Sequence, residues 1–247
     1  MLVSESNKLY NLINEGQRLV GVLIDPEKFI HQEVGFEFLK QLNTTVTDIV
    51  LVGGSSCTIE ELEDTLDLVA QYCSLPILLF PGSHIQVSEH ASGILFMSLL
   101  SGRNPDFLIG HQVEASKKLH ESGLEVIPTA YLLLDGGKVS SVEKYSGTQP
   151  IPQDKLEIIF HTVLAGNLLG LKLTYLDAGS GALNRIKPSV INKVNELGTP
   201  LIVGGGIRTI TEIKEAHDAG ANLVVIGSKL EDDPTFLTEL IKYRQSL

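Results

Sequence analysis

The chain has 247 residues, and 30 acidic against 19 basic side chains give it a formal charge of −11 at neutral pH. That balance argues against nucleic acid as a partner and against attraction to an anionic membrane surface, because both carry the same sign. Cys57 and Cys73 fit no metal-binding spacing and are expected to be reduced; no apolar run reaches the roughly 18 residues of a membrane helix and no basic-then-apolar leader opens the chain, so a cytoplasmic protein without an integral membrane segment is expected.

Residues 1–247 read as a single domain with a repeating unit. Short aliphatic runs end in Gly, Ser, Pro or Asp clusters, and most are followed by a helical pattern. The first two runs are LVGVLIDP (19–26) and DIVLVGGS (48–55). A helix is predicted over 58–73: Thr58 and Glu61 form a capping box, and Ile59, Leu62, Leu66 and Val69 share one face. The third run, LPILLFPGS (75–83), leads to nine residues, 84–92, too few for a full helix, so the third crossover is expected to be irregular. GILFMSLLSG (93–102) precedes a helix over 104–123, and LEVIPTAYLLL (124–134) precedes one over 154–170. Next come LKLTYLDAGSG (171–181) and PLIVGGGI (200–207). A helix over 209–220 follows, opened by Thr209 and Glu212 and closed by Gly220. NLVVIGS (222–228) and a last helix over 232–247 complete the series. Continuous apolar runs suit parallel strands covered on both faces, and eight such units predict a (β/α)8 barrel, with a doubly wound sheet as the alternative.

In a barrel, chemistry gathers where strands end. Glycines 204–206 after strand seven, paired with Gly227-Ser228 after strand eight, have the composition of a phosphate cradle, because only glycine lets backbone N–H groups close around an anion. A dinucleotide fingerprint fits poorly, since Thr209 stands where its last glycine belongs. Asp25, followed by Pro26, either caps the next helix or serves as a Mg²⁺ ligand with the Ser55 hydroxyl; Mg²⁺ takes only one or two protein oxygens beside substrate phosphates. Asp177, between Tyr175 and Gly179-Ser180-Gly181, is a candidate general base or cation stabiliser. The seven histidines show no zinc spacing. His161 reads as a packing residue, and His84 as a loop residue that could touch a ligand.

Together VLIDPEK, VGGSS, LFPGS, LLSGRNP, VIPTAYLLL, LKLTYLDAGSGA and LIVGGGIRT, spread over about residues 19–230, resemble the geranylgeranylglyceryl phosphate synthase family, in the branch found in archaea and Bacteroidetes-like bacteria. The resemblance implies an Mg²⁺-dependent prenyltransferase that joins sn-glycerol 1-phosphate to a polyprenyl diphosphate, usually geranylgeranyl diphosphate. It implies that Asp25 and Ser55 hold the Mg²⁺. It further implies that Tyr175, Leu176, Asp177, Ala178, Gly179, Ser180 and Gly181 hold the glycerol phosphate, with Gly205, Gly206, Gly227 and Ser228 around its phosphate, and that the protein is a homo-oligomer. Leu78, Leu79, Leu95 and Leu99 read either as barrel core or as the wall of a groove for the prenyl tail. The chain departs from the family pattern at Asp177, where Glu is usual, so its carboxylate is one methylene shorter. Two other readings stay open on the sequence: an isomerase or lyase barrel acting on a sugar phosphate, and a phosphoglycerol-binding barrel without turnover.

Overall fold

The structure is a computed structural model that describes residues 7–16, 18–29, 35–43 and 47–245. Eight parallel strands close into a barrel in chain order: β1 (Leu19–Ile24), β2 (Ile49–Val52), β3 (Ile77–Leu79), β4 (Gly93–Leu99), β5 (Glu125–Leu133), β6 (Leu173–Asp177), β7 (Leu201–Gly204) and β8 (Leu223–Ile226). β8 returns to β1 with Leu19 beside Leu223 and Val22 beside Ile226, so the sheet has no free edge.

The aliphatic runs are continuous because they serve two cores. In β2, Ile49 and Leu51 point into the barrel, where they meet Leu78, Leu95, Ile127, Leu173 and Ile202. Val50 and Val52 point outward into the layer between strands and helices. Strand periodicity of two therefore demands an apolar residue at every position. Among the outer helices are α4 (Ile59–Tyr72), α5 (His111–Glu121), α7 (Leu156–Leu168) and α9 (Ile210–Asp218). Both capping boxes form: Thr58 with Glu61 opens α4, and Thr209 with Glu212 opens α9. In α4, Leu62, Leu66 and Val69 are wholly buried, and truncating any one to alanine should cost about 2–5 kcal/mol.

Several elements depart from the expected pattern. Helix α1 (Lys8–Glu15) precedes the barrel, and its Leu9 and Ile13 join the interior cluster. The N–H groups of Leu9 and Tyr10 each donate to the Glu125 carboxylate at 2.8 Å. That carboxylate does for the helix start what the side chain of Asn7 does not. Glu125 opens β5, so α1 sits at the N-terminal end of the barrel, opposite the strand ends that carry the site. The helix expected over 104–123 begins as a π-turn, Asp106–Gly110, before α5. The helix expected over 232–247 begins only at Phe236, as α11 (Phe236–Arg244), because Pro234 lacks an N–H and disfavours helical backbone at Asp233, and a separate short helix, α10 (Ser228–Asp232), precedes it; residues 246–247 of the expected helix lie outside the described residues. α9 is closed by Ala219 rather than by Gly220, which follows with φ +111°. No helix stands between β3 and β4, as residues 84–92 predict. Short helices α2 (Pro26–Phe29), α3 (Gly35–Asn43), α6 (Ser141–Ser146) and α8 (Pro188–Asn195) complete the described elements.

Candidate active site

One cavity of about 1000 Å³ opens at the C-terminal ends of the strands. Asp25, Ser55, Tyr175, Asp177, Gly205, Gly206, Gly227 and Ser228, drawn from five strand ends, all line it. Closure of the barrel gathers them from a span of more than 200 residues.

The cradle side is held by glycine geometry. Gly205 and Gly206 adopt φ +79° and +72°, which side chains rarely tolerate. A Cβ on Gly205 would lie 2.7 Å from Asp177 Oδ1, so the acid and the cradle abut. The β6 loop is tied across to the start of α10: the Gly181 N–H donates to Ser228 Oγ at 3.2 Å, and the Ser180 and Ser228 hydroxyls lie 3.3 Å apart. Arg208, which follows β7, clamps the β6 loop to the β7 loop, donating to the carbonyls of Ala182 (2.5 Å) and Leu183 (3.3 Å).

Of the stretch 175–181, strand alternation sends only part to the cavity. Tyr175 and Asp177 face inward and Ser180 and Gly181 line the mouth. Leu176 and Ala178 pack outward in the helix layer, and Gly179 turns at φ +90° to give its N–H to Asp177 Oδ1 at 2.8 Å. Asp177 Oδ2 accepts a hydrogen bond from the Tyr131 hydroxyl at 2.6 Å. Burial raises the Asp177 carboxyl above the usual carboxylate range, while Tyr131 and the Gly179 N–H pull it back. Burial, reinforced by Asp177, lifts the Tyr131 and Tyr175 hydroxyls well above their ordinary value, so both stay neutral and Tyr131 is the donor. Phe80 stacks on Tyr175 at 5.1 Å and meets Tyr131 at 5.9 Å, which makes an aromatic floor beside the acid.

Across the cavity, Asp25 ends β1. Its Oδ1 is buried without a hydrogen-bond partner and sits 2.6 Å from where a Cβ on Gly54 would fall. Burial pushes the Asp25 carboxyl up; Lys28 pulls it down, and Glu231 and Glu27 push it further up. Lys28 Nζ lies 3.6 Å from Asp25 Oδ2 and 2.8 Å from Glu231 Oε2. A buried carboxylate oxygen without a partner is costly unless a cation or donor completes it, so the residues present fit a cation here. Ser55 is set by Gln86, which is fully buried in the irregular third crossover: its amide donates to the carbonyls of Gly54 (3.0 Å) and Cys57 (3.1 Å) and accepts from the Gly82 N–H (2.8 Å). Among the described residues no cluster of three His, Cys, Asp or Glu side chains is placed to hold a metal.

The cavity continues sideways. Val87, Ile94, Phe96, Ala115 and Leu119 line it from the layer between β4 and α5, next to the crossover that lacks a helix. Leu95 and Leu99 line it from inside the barrel; Leu78 lies in the interior core and Leu79 in the outer one, without lining the cavity. His84 lines the rim and pairs with Glu114 at 2.8 Å. His161, expected to pack, is exposed on α7 because it falls on the outward face. Sequence reasoning missed Tyr131, Gln86 and Lys28. Tyr131 gave a signal, the one aromatic side chain in its strand; the other two gave none.

Fold and site define a (β/α)8 barrel with a glycine-lined cradle, a carboxylate beside it, a second acidic corner and an apolar side channel. The PcrB family profile matches residues 13–244. The chain belongs to this family, and to the geranylgeranylglyceryl phosphate synthases that its motifs resemble. The protein of that name from Zunongwangia profunda is 50% identical over 217 residues, spanning 87% of this chain and 92% of its own length. That from Pyrococcus abyssi is 37% identical over 221 residues, spanning 89% and 86%. The crystal structure of (S)-3-O-geranylgeranylglyceryl phosphate synthase from Thermoplasma acidophilum, in complex with its substrate sn-glycerol-1-phosphate, superposes with a TM-score of 0.87 at 28% identity over 99% of this chain and 98% of that one. Thiamine phosphate pyrophosphorylase from Pyrococcus furiosus, at 12% identity and TM-score 0.57, shares the fold alone. Among the described residues no helix is long and apolar enough to cross a membrane.

Proposed function

We propose that this chain transfers a geranylgeranyl group from its diphosphate to the C3 hydroxyl of sn-glycerol 1-phosphate, forming an ether and releasing diphosphate. The observation that carries the reading is the contact between cradle and acid: Asp177 abuts Gly205. A glycerol phosphate gripped at Gly205-Gly206 and Gly227-Ser228 presents its hydroxyl end toward that carboxylate. Asp25 and Ser55 would hold Mg²⁺, whose charge, when bound, offsets that of the leaving diphosphate. Positive charge grows on the allylic carbon as its bond to diphosphate breaks, and the Asp177 carboxylate and the faces of Phe80 and Tyr175 lie on the side where that charge is stabilised. The hydroxyl oxygen forms the new bond to that carbon, and its proton passes to Asp177. The side channel shields the tail and the reacting carbon from water, which would otherwise compete as nucleophile. The shorter side chain at Asp177 is compensated by its supports: Tyr131 and Gly179 fix both oxygens, so reach is replaced by orientation.

The test is product formation followed by mass spectrometry, with geranylgeranyl diphosphate and either sn-glycerol 1-phosphate or its mirror-related 3-phosphate. Ether product from the 1-phosphate, strongly reduced from the 3-phosphate, is expected. Asp177→Asn should lower single-turnover rate by roughly 10²-fold or more, while glycerol phosphate affinity changes far less. A parent that binds both substrates yet forms no product would refute the reading.

A further inference from the structure

Lys28 is not needed to explain the cradle, the acid or the apolar channel, yet it sits where two strand ends meet. It projects from α2, three residues after Asp25, and spans to Glu231 on α10, the helix that starts at the cradle residue Ser228. Its ammonium is 2.8 Å from Glu231 Oε2 and 3.6 Å from Asp25 Oδ2, and all three side chains line the cavity. Glu27 and Asp232 also line the cavity, and among its described lining residues Lys28 and Lys229 are the two cations carried by α2 and α10. Lys229 is committed to Asp233 at 2.8 Å. Lys28 in turn leaves Asp25 Oδ1 uncovered.

We infer that Lys28 is a resident counter-cation of the acidic corner, which competes with a divalent ion for Asp25 until diphosphate arrives and then turns to the diphosphate. The inference rests on the proposed metal and diphosphate site. Its logic is electrostatic. With no anionic ligand present, an ammonium beside Asp25 and Glu231 lowers the attraction of that corner for a second cation. Once a diphosphate enters, the same ammonium is an attractive partner for its oxygens, and the lysine stem, partly exposed, is long enough to swing between carboxylate and phosphate. The metal is thereby taken up with the diphosphate rather than before it, and the empty enzyme is kept from filling its acidic corner with an idle ion.

The two halves of the inference have opposite signs, which separates them from a merely structural role. Lys28→Met should strengthen Mn²⁺ binding, read by electron paramagnetic resonance without diphosphate, by about 5-fold or more at low salt. The same variant should weaken binding of inorganic diphosphate in the presence of Mg²⁺, read by calorimetry, by about 10-fold. Lys28→Arg keeps the charge and should hold Mn²⁺ affinity within about 2-fold of the parent. Mn²⁺ affinity that is unchanged or lower in Lys28→Met, or diphosphate affinity that survives intact, would overturn the inference while leaving the metal site standing. An Mn²⁺ signal indifferent to Asp25→Asn would overturn the metal site itself, and the role of Lys28 with it.

Discussion

Replacing Tyr131 by phenylalanine removes one oxygen atom and tests what holds the central acid. The Tyr131 hydroxyl gives Asp177 Oδ2 a 2.6 Å hydrogen bond inside a fully buried environment, and the Gly179 N–H supports Oδ1 at 2.8 Å. Hydrogen bonds to charged groups contribute about 1.5–3 kcal/mol, and a buried acceptor left without its donor forfeits that amount. The ring itself stays packed against Phe80 and Tyr175 at 5.9 and 5.5 Å, so the loss is confined to the polar contact. Burial already raises the Asp177 carboxyl, and Tyr131 is the strongest influence pulling it back. Its removal therefore favours the protonated acid. The acid limb of the kcat–pH profile should move to higher pH in Tyr131→Phe, and on the acid side of that limb turnover should fall by about 10-fold or more if the bond favours the ionised acid by about 1.5 kcal/mol or above. At pH values above the shifted limb, part of that loss should be recovered, because the carboxylate is again ionised. Turnover measured between pH 5.5 and 9 for parent and variant decides the matter. An acid limb that stays in place would refute the assignment of Tyr131 as the residue that sets the ionisation of Asp177.

Three further outcomes are expected. Gly205→Ala forces a Cβ onto a φ of +79° and to within 2.7 Å of Asp177 Oδ1; it should lower stability by about 1–2 kcal/mol in urea unfolding and weaken sn-glycerol 1-phosphate binding by more than Gly198→Ala, a control glycine with φ +68° and open space around it. His217 is buried, with Nδ1 3.0 Å from the Ala221 carbonyl, and burial lowers its pKa below 6.5. The unfolded chain takes up the proton first, so this contribution to stability is intact above pH 6.5 and declines as pH falls toward the lowered native value; parent should lose more thermal stability than His217→Gln between pH 7.5 and 5.5. Burial, with Asp25 nearby, lifts the Cys57 thiol to about 11, so mass spectrometry after iodoacetamide at pH 8 should find it unmodified in the native protein and modified in urea; rapid native alkylation would contradict its burial.

How legible the fold was depends on the range of the interactions that make it. Thr58 and Glu61, or Thr209 and Glu212, are three residues apart and need no tertiary context, so both helix starts could be read directly. The strand ends were legible because glycine pairs and an isolated Asp are conspicuous against aliphatic runs. Helix α8 carries a local signal too: Pro188 at its first position, with Val190, Ile191 and Val194 on one buried face. Tyr131 and Asp177 are 46 residues apart, and they meet only because β5 and β6 pair with Leu133 beside Asp177. Lys28 and Glu231 are 203 residues apart and depend on the barrel closing. Registers of that kind are fixed by the sum of packing around the ring, which no short stretch of sequence carries. The same alternation explains why Leu176 and Ala178, neighbours of the acid in sequence, are absent from its cavity.

The missing helix after β3 has a wider consequence. A barrel clad by helices on all sides confines a ligand to the mouth, and a longer ligand must then project into solvent. Here Val87, Ile94, Ala115 and Leu119 offer an apolar berth along the flank, so the corner that holds Asp177 and Asp25 is set apart from the stretch that, in the proposed reaction, would take the part of the ligand that varies in length. Reactivity and size selection are thus independently adjustable: a change from Ala115 or Leu119 to a bulkier or smaller residue could redefine which tail is accepted while the rim keeps its geometry. A scaffold arranged in this way can diversify its products by altering upholstery on one side panel, without re-tooling the machinery at the top.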